Sequence, residues 1–178
     1  IITDISASEL EAVKATGLTY TVLIEDVSKH YSERNQKKSA EKPTGVEGCT
    51  DCEEYATPLN FQLGTMGGFY TYQEMLNALD SMKAKYPNLI TTRQAISTAT
   101  TVQGRSLYFV KISDNAETAE TEPQVLYTAL HHAREPQSLS QLVFYMWYLL
   151  ENYATNAEVR YLVDHTEMYF VPCINPDG

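Results

Sequence analysis

The sequence predicts an α/β domain in which helices cover the faces of a sheet. From about residue 61 onward, short runs rich in β-branched and aromatic residues alternate with longer stretches whose apolar residues recur at helical spacing. Strands that alternate with helices in this way are typical of a sheet covered by helices. The length of 178 residues suits one medium domain, or one domain with a small appendage.

The composition argues against two classes of partner. The formal net charge is −10, whereas binding to nucleic acid rests on clusters of basic residues. Hydrophobic residues make up 43% of the chain, but no apolar run is long enough to span a membrane. We therefore expect neither a nucleic acid nor a membrane as a partner.

The first zone, residues 1–33, predicts a short helix followed by a strand. Ser6 and Glu9 have the spacing of a capping box, and Gly17 supplies a left-handed residue that ends a helix. Residues 18–24 then alternate between apolar and polar, which predicts a strand. One helix and one strand cannot enclose a core, so this zone is expected to be the remnant of a larger domain.

The second zone, residues 34–60, predicts a linker, because proline, glycine and charged residues are frequent and periodic apolar residues are rare. An exposed polar linker is a natural target of proteases. Cys49 and Cys52 lie in this zone and leave two possibilities open, a short-loop disulfide or two reduced thiols. Cys173 lies in an apolar run and is predicted to be a small buried core residue.

The third zone, residues 61–178, predicts three helices. Thr71 and Glu74 cap the first, which ends before Pro87. The second starts at Pro136 and carries apolar residues on every face, so it should be buried nearly all round. The apolar stripe of the first helix consists of Met75, Leu76, Leu79 and Met82.

Thr155 and Glu158 predict a capping box for the third helix, which runs through Leu162. Strands are expected at residues 106–112, 125–130 and 168–174. A surface loop is expected at residues 114–122, and Asn-Pro-Asp-Gly at 175–178 is a strong turn signal.

The run Leu-His-His-Ala-Arg-Glu-Pro at residues 130–136 joins a predicted strand to the second helix. Ligands of α/β sheets bind at the carboxyl ends of strands, and imidazole and carboxylate both bind zinc. His132 and Glu135 stand three residues apart there, although a bare His-x-x-Glu spacing also arises by chance in structural positions. Arg134 between them either pairs with a nearby acid or holds a carboxylate or carbonyl of a substrate.

Three ordered blocks resemble the zinc carboxypeptidases of the pancreatic carboxypeptidase A type, peptidase family M14. They are Gly-Arg-Ser-Leu-Tyr at 104–108, the run at 130–136, and Phe-Val-Pro-Cys-Ile-Asn-Pro-Asp-Gly at 170–178. Residues 70–75 are similar to the start of that family's catalytic domain. Residues 17–27 are similar to the end of an activation propeptide.

The resemblance implies a domain organisation. Residues 61–178 would be the N-terminal part of a mixed-sheet α/β/α metallocarboxypeptidase domain, truncated in this chain. Residues 1–33 would be the remnant of an α+β propeptide, and residues 34–60 the linker that an activating protease cuts.

The resemblance also implies the site. His132 and Glu135 would be the first two ligands of one zinc ion, with His131 as a neighbour, and Arg134 would help to hold the peptide substrate. The family's third ligand, its carboxylate clamp and its general-base glutamate are expected beyond Gly178, so no catalytic residue is placed within this chain.

The implied activity is hydrolysis of the C-terminal peptide bond of peptides or proteins by a zinc-activated water, in a secreted or periplasmic zymogen. The chain alone is expected to be inactive and to bind zinc weakly, because a catalytic zinc site has three protein ligands. The alternative is a non-catalytic relative whose pocket binds a peptide or partner. An acyl-amidohydrolase with His-Gly-x-Glu is disfavoured, because the two residues between the candidate ligands are Ala133 and Arg134, without the glycine of that motif.

Overall fold

The fold comes from a computed structural model that describes residues 5–30, 33 and 55–178. The chain divides into two compact units, Ile1–Cys49 and Thr50–Gly178. Most of the predicted linker lies outside the described residues, and so do Cys49 and Cys52. None of the helices in the described part is long and apolar enough to cross a membrane.

The first unit contains the predicted helix but lacks the predicted strand. Helix α1, Ala7–Ala15, begins at a complete capping box of Ser6 and Glu9, and Gly17 follows it at a φ of 72°. Residues 18–24 form no strand, so that prediction is wrong. A strand needs a neighbour for its backbone N–H and C=O groups, and residues 5–30 and 33 include no second strand.

The second unit contains a four-stranded mixed sheet, which confirms the predicted α/β class. The sheet order is β1-β2-β4-β3, with β1 antiparallel to β2, β2 antiparallel to β4, and β4 parallel to β3. The bounds are Gln94–Ala95 for β1, Tyr108–Ile112 for β2, Gln124–Thr128 for β3 and Glu167–Val171 for β4. Strand β4 ends earlier than predicted, because Pro172 has no N–H to continue the ladder.

Three helices accompany the sheet, namely α2 (Tyr72–Lys85), α3 (Pro136–Asn152) and α4 (Ala157–Asp164). The Thr71 capping box and the four-residue buried stripe of α2 are as predicted. Helix α3 is buried or half-buried from Leu139 to Leu150 except at Gln141, which confirms the expected burial on nearly all sides. The cap of α4 is Asn156 and not Thr155, because the Asn156 side chain accepts the N–H groups of Glu158 and Val159.

One hydrophobic core joins α2, α3 and α4 to β2 and β4. Phe170 of β4 is fully buried at its centre and stacks on Tyr127 with 4.9 Å between ring centroids. Cys173 is buried as predicted, and burial raises the pKa of its thiol to about 11. This thiol therefore stays protonated, which favours packing over reactivity.

A buried ion pair connects β2 to β4. Lys111 Nζ donates to Glu167 Oε1 at 2.7 Å, and both side chains are almost completely shielded from solvent. Glu167 also accepts hydrogen bonds from the Glu120 N–H and the Gln124 side chain, at 3.0 and 2.7 Å. The hydrogen bond from Lys111 is the largest influence that lowers the pKa of Glu167 to about 2.

Candidate metal centre

A left-handed turn at the carboxyl end of β3 sets the direction of the segment that carries the candidate ligands. Leu130 has a φ of 48°, a left-handed backbone conformation that residues other than glycine rarely adopt. Two hydrogen bonds hold it there. The Leu130 N–H donates to Ser138 Oγ at 2.9 Å, and the Leu130 carbonyl accepts from the Asn175 N–H at 2.9 Å.

Ser138 closes the loop between β3 and α3. Its hydroxyl accepts from Leu130 and donates to the Glu135 carbonyl at 2.7 Å, so one side chain joins the end of the strand to the start of the helix. Pro136 occupies the first position of α3, where its lack of an N–H costs nothing. The Glu135 N–H donates to the His132 carbonyl at 3.1 Å, which folds residues 131–135 into a short turn.

The loop brings the two candidate ligands together. His132 Nδ1 lies 3.1 Å from Glu135 Oε1, and the two side chains are 80% and 57% exposed. Nitrogen and oxygen atoms that share a tetrahedral zinc at about 2.0 to 2.2 Å are roughly 3.3 Å apart, so the observed separation fits one ion. Within residues 5–30, 33 and 55–178, no cluster of three metal-binding side chains includes either residue.

Arg134 lies between the two candidate ligands in the sequence and is exposed. Across the described ranges its guanidinium makes no hydrogen bond and no ion pair, so the alternative of a nearby acidic partner is not seen there. His131 likewise makes no hydrogen bond or ion pair with the part of the chain that the structure describes. The five donors of the Arg134 guanidinium therefore remain available for a ligand.

The predicted turn at residues 175–178 is present and packs against the candidate-ligand loop, residues 130–135. A β-carbon added to Gly178 would lie 2.6 Å from that of Ala133, closer than side chains tolerate. Asp177 accepts hydrogen bonds from Thr101 Oγ1, the Gln103 N–H and Arg105 Nη1, at 2.7, 3.0 and 2.9 Å. Burial raises the pKa of Asp177, but these bonds outweigh it and lower the pKa overall.

The three blocks near residues 104–108, 130–136 and 170–178 therefore meet in space. Arg105 pairs with Asp177, and Asn175 bonds to Leu130. The sequence signalled His132, Glu135 and Arg134 through local spacing. It did not signal the supporting residues Ser138 and Asp177, whose partners are set by the fold; the Asn-Pro-Asp-Gly turn was the one local indication.

Comparisons with known proteins agree on one family. Residues 75–178 match the family described as zinc carboxypeptidase, peptidase M14. A zinc carboxypeptidase of Saccharothrix mutabilis subsp. capreolus is 35% identical over 111 residues, which cover 62% of this chain and 25% of the relative. An inactive metallocarboxypeptidase, ecm14, of Schizosaccharomyces pombe is 30% identical over 118 residues, which cover 62% of this chain and 23% of the relative.

The fold is similar to that of solved carboxypeptidase-type structures. The crystal structure of thrombin activatable fibrinolysis inhibitor aligns with a TM-score of 0.59 at 16% identity, and covers 96% of this chain and 37% of that one. The chain thus spans about a quarter of the length of the curated relatives above and little more than a third of the solved one.

Proposed function

Because this chain belongs to the zinc carboxypeptidase family, we propose that the intact protein hydrolyses the C-terminal peptide bond of peptides or proteins with one zinc ion. His132 and Glu135 would supply two of the protein ligands. The observation that carries the proposal is the 3.1 Å approach of His132 Nδ1 to Glu135 Oε1 in a loop held between β3 and α3. The whole protein's third ligand and general base would come from residues outside this chain.

When bound, zinc would polarise the scissile carbonyl and lower the pKa of a coordinated water towards neutrality. The role of this chain's residues is to fix the ligands beforehand. Ser138 and the left-handed Leu130 hold the backbone on both sides of the loop, so the loop backbone does not have to be ordered when the ion arrives. Exposure of both ligand side chains leaves their outer side open to a peptide.

Arg134 would bind the substrate. A guanidinium presents a rigid fork of donors that matches a carboxylate or a carbonyl oxygen, and it stays charged at every physiological pH. Its freedom from hydrogen bonds and ion pairs across the described part supports this role. Replacing Arg134 with lysine keeps the charge but loses the fork, so in the intact protein KM should rise more than kcat falls.

The intact protein tests this function directly. Cleavage of a peptide with a free C-terminus is expected, and Glu135→Gln should abolish it while leaving the fold unchanged, because the Glu135 backbone keeps its bonds to Ser138 and His132 and glutamine keeps an oxygen for the side-chain contact with His132. Full activity of Glu135→Gln would contradict the assignment. The isolated chain should show no turnover and weak zinc binding by calorimetry; tight stoichiometric zinc with turnover would contradict that expectation.

We also propose that residues 1–33 are the remnant of an inhibitory propeptide and that a protease activates the secreted or periplasmic enzyme at residues 34–60. Exposed apolar side chains support the view that the first unit is part of a larger domain. Leu18 and Leu23 are each about 70% exposed, and apolar residues of this size are normally covered by other parts of a domain. The relative of similar fold is described as thrombin activatable. Cleavage within residues 34–60 of the intact protein should raise activity, and unchanged activity after complete cleavage would count against the proposal.

A second candidate function is binding of a peptide or partner without catalysis. The match to a relative described as inactive supports this non-catalytic function as a candidate. The two candidates differ in one respect that is easily observed, namely whether the intact protein retains the family's third histidine ligand and its glutamate base. Peptide binding without cleavage by the zinc-loaded intact protein would select the non-catalytic function.

A further inference from the structure

Strand β3 forms one edge of the sheet, and its outer side is unpaired in the described part of the chain. In the sheet order β1-β2-β4-β3, this strand pairs only with β4. The Ala129 N–H, just after the strand, donates to the Val171 carbonyl, so the backbone groups of odd-numbered residues face β4. Backbone groups alternate between the two sides of a strand. The N–H and C=O groups of Gln124, Leu126 and Thr128 therefore face away from β4.

The side chains of β3 leave this edge unprotected. Leu126 is 65% exposed and Val125 is 38% exposed. The strand reads Gln-Val-Leu-Tyr-Thr and contains no charged residue, proline or glycine. Natural proteins protect an edge strand with charged residues, with proline or by making the strand very short, because free N–H and C=O groups attract another strand. Strand β3 has five residues and none of these devices.

We propose that β3 pairs with β3 of a second copy of this chain, antiparallel and about a twofold axis at Leu126. In this register Leu126 lies opposite the partner's Leu126, and Gln124 lies opposite the partner's Thr128, so apolar meets apolar and polar meets polar. Antiparallel pairing is slightly more stable per residue than parallel pairing. The same surface serves both copies, as in other twofold dimers.

Charges on either side of β3 favour this antiparallel arrangement over a parallel one. Glu120 and Glu122 precede the strand, whereas residues 131–135 after it include one arginine and one glutamate and have no net negative charge. Antiparallel pairing directs the acidic flank of each copy towards residues 131–135 of the other copy. Parallel pairing would bring the two acidic flanks together, and like charges on opposite strands repel.

The opposite edge of the sheet limits the assembly to two copies. Strand β1 has only two residues, and very short edge strands resist further pairing. A dimer through β3 therefore joins two sheets into one whose outer edges are both β1. The paired segment is short, so the interface is at the small end of specific complexes and we expect association in the micromolar range. This inference does not depend on peptidase activity, and the two can fail separately.

Sedimentation velocity of the 178-residue chain across the micromolar range tests the proposal, in reducing agent so that Cys49 and Cys52 cannot link two chains. We expect the mean mass to rise from one chain towards two as the concentration increases. Leu126→Lys should weaken dimerisation about tenfold, because it removes an apolar contact and places two ammonium groups opposite each other at the axis. Leu162→Lys, the same change at an exposed leucine of α4, should dimerise as the wild type does.

Hydrogen exchange locates the interface without any substitution. In the wild-type chain the amides of Gln124, Leu126 and Thr128 should exchange more slowly at high concentration than at low concentration, because the dimer pairs them. In Leu126→Lys this dependence should be lost, while the Tm at low concentration should stay close to that of the wild type, because the side chain is exposed.

Two results would overturn the proposal. One is a wild-type chain that stays monomeric throughout the concentration range, which would leave the edge to a strand of the intact protein outside this chain. The other is a dimer that forms without slowing the exchange of the three outward amides, because its interface would then lie elsewhere.

Discussion

Replacing Glu167 with glutamine should destabilise the second unit strongly, because the change leaves the buried charge of Lys111 without its counterion. Glu167 is fully buried in β4 and accepts the Lys111 ammonium at 2.7 Å. Glutamine keeps the size and an acceptor oxygen but leaves Lys111 without a counterion. Removal of one partner of a buried ion pair typically costs about 3 to 5 kcal/mol.

The pKa of Glu167 gives a second estimate of the same quantity. Its fall from an ordinary 4.5 to about 2 corresponds to roughly 3 kcal/mol, at about 1.4 kcal/mol for each pKa unit. A lowered pKa stabilises the fold above pH 4.5, and this contribution is lost as the pH falls from 4.5 towards 2. Glu167 alone should therefore account for a loss of about 3 kcal/mol over that range, so the wild-type chain should lose more stability there than Glu167→Gln does.

Urea unfolding followed by circular dichroism, in chelator and at several pH values between 7 and 2, measures both effects. Glu158→Gln is the matched control, because the same substitution at an exposed residue should change the free energy of unfolding by less than about 0.5 kcal/mol. A cost below about 1 kcal/mol at pH 7, or an acid sensitivity equal to that of the wild type, would show that the Lys111–Glu167 pair does not stabilise the fold as described.

Two further predictions concern the candidate-ligand loop at residues 130–135. Ser138→Ala should lower the free energy of unfolding by about 1 to 3 kcal/mol in the same assay, because the Leu130 N–H loses its acceptor, whereas Ser138→Thr keeps the hydroxyl and should lose less; equal losses would contradict the role of that hydroxyl. Gly178→Ala should displace the turn from Ala133 and weaken zinc binding to the chain, measured by calorimetry, and unchanged affinity would show that the contact does not support the loop.

Local sequence signals predicted the helices well and isolated strands poorly. The capping boxes at Ser6 and Thr71 are formed as predicted, since every partner in them lies within one turn. The strand expected at residues 18–24 failed, because a strand depends on a neighbour that local alternation cannot supply. Asn156 caps α4 where Thr155 was predicted. Both residue types suit an N-cap, so only the backbone path at the start of α4 shows which of them takes that position.

In the candidate site, too, the local sequence indicates some residues and not others. His132 and Glu135 are three residues apart, so a pattern in the sequence indicates them directly. Their support comes from Ser138 bonding back across the loop and from Asp177 bonding to Arg105, 72 positions away. The first pairing depends on the path of the loop and the second on how distant segments of the chain pack, and residue spacing carries no information about either.

Zinc titration of the chain and three of its variants tests whether His132 and Glu135 are zinc ligands. Calorimetry should give a weak wild-type affinity that falls about tenfold or more in His132→Ala and in Glu135→Gln, since each removes one of two ligands. His131→Ala is the matched control, and its affinity should equal that of the wild type. Loss of binding in His131→Ala with retention in His132→Ala would contradict the assignment of His132 as a zinc ligand.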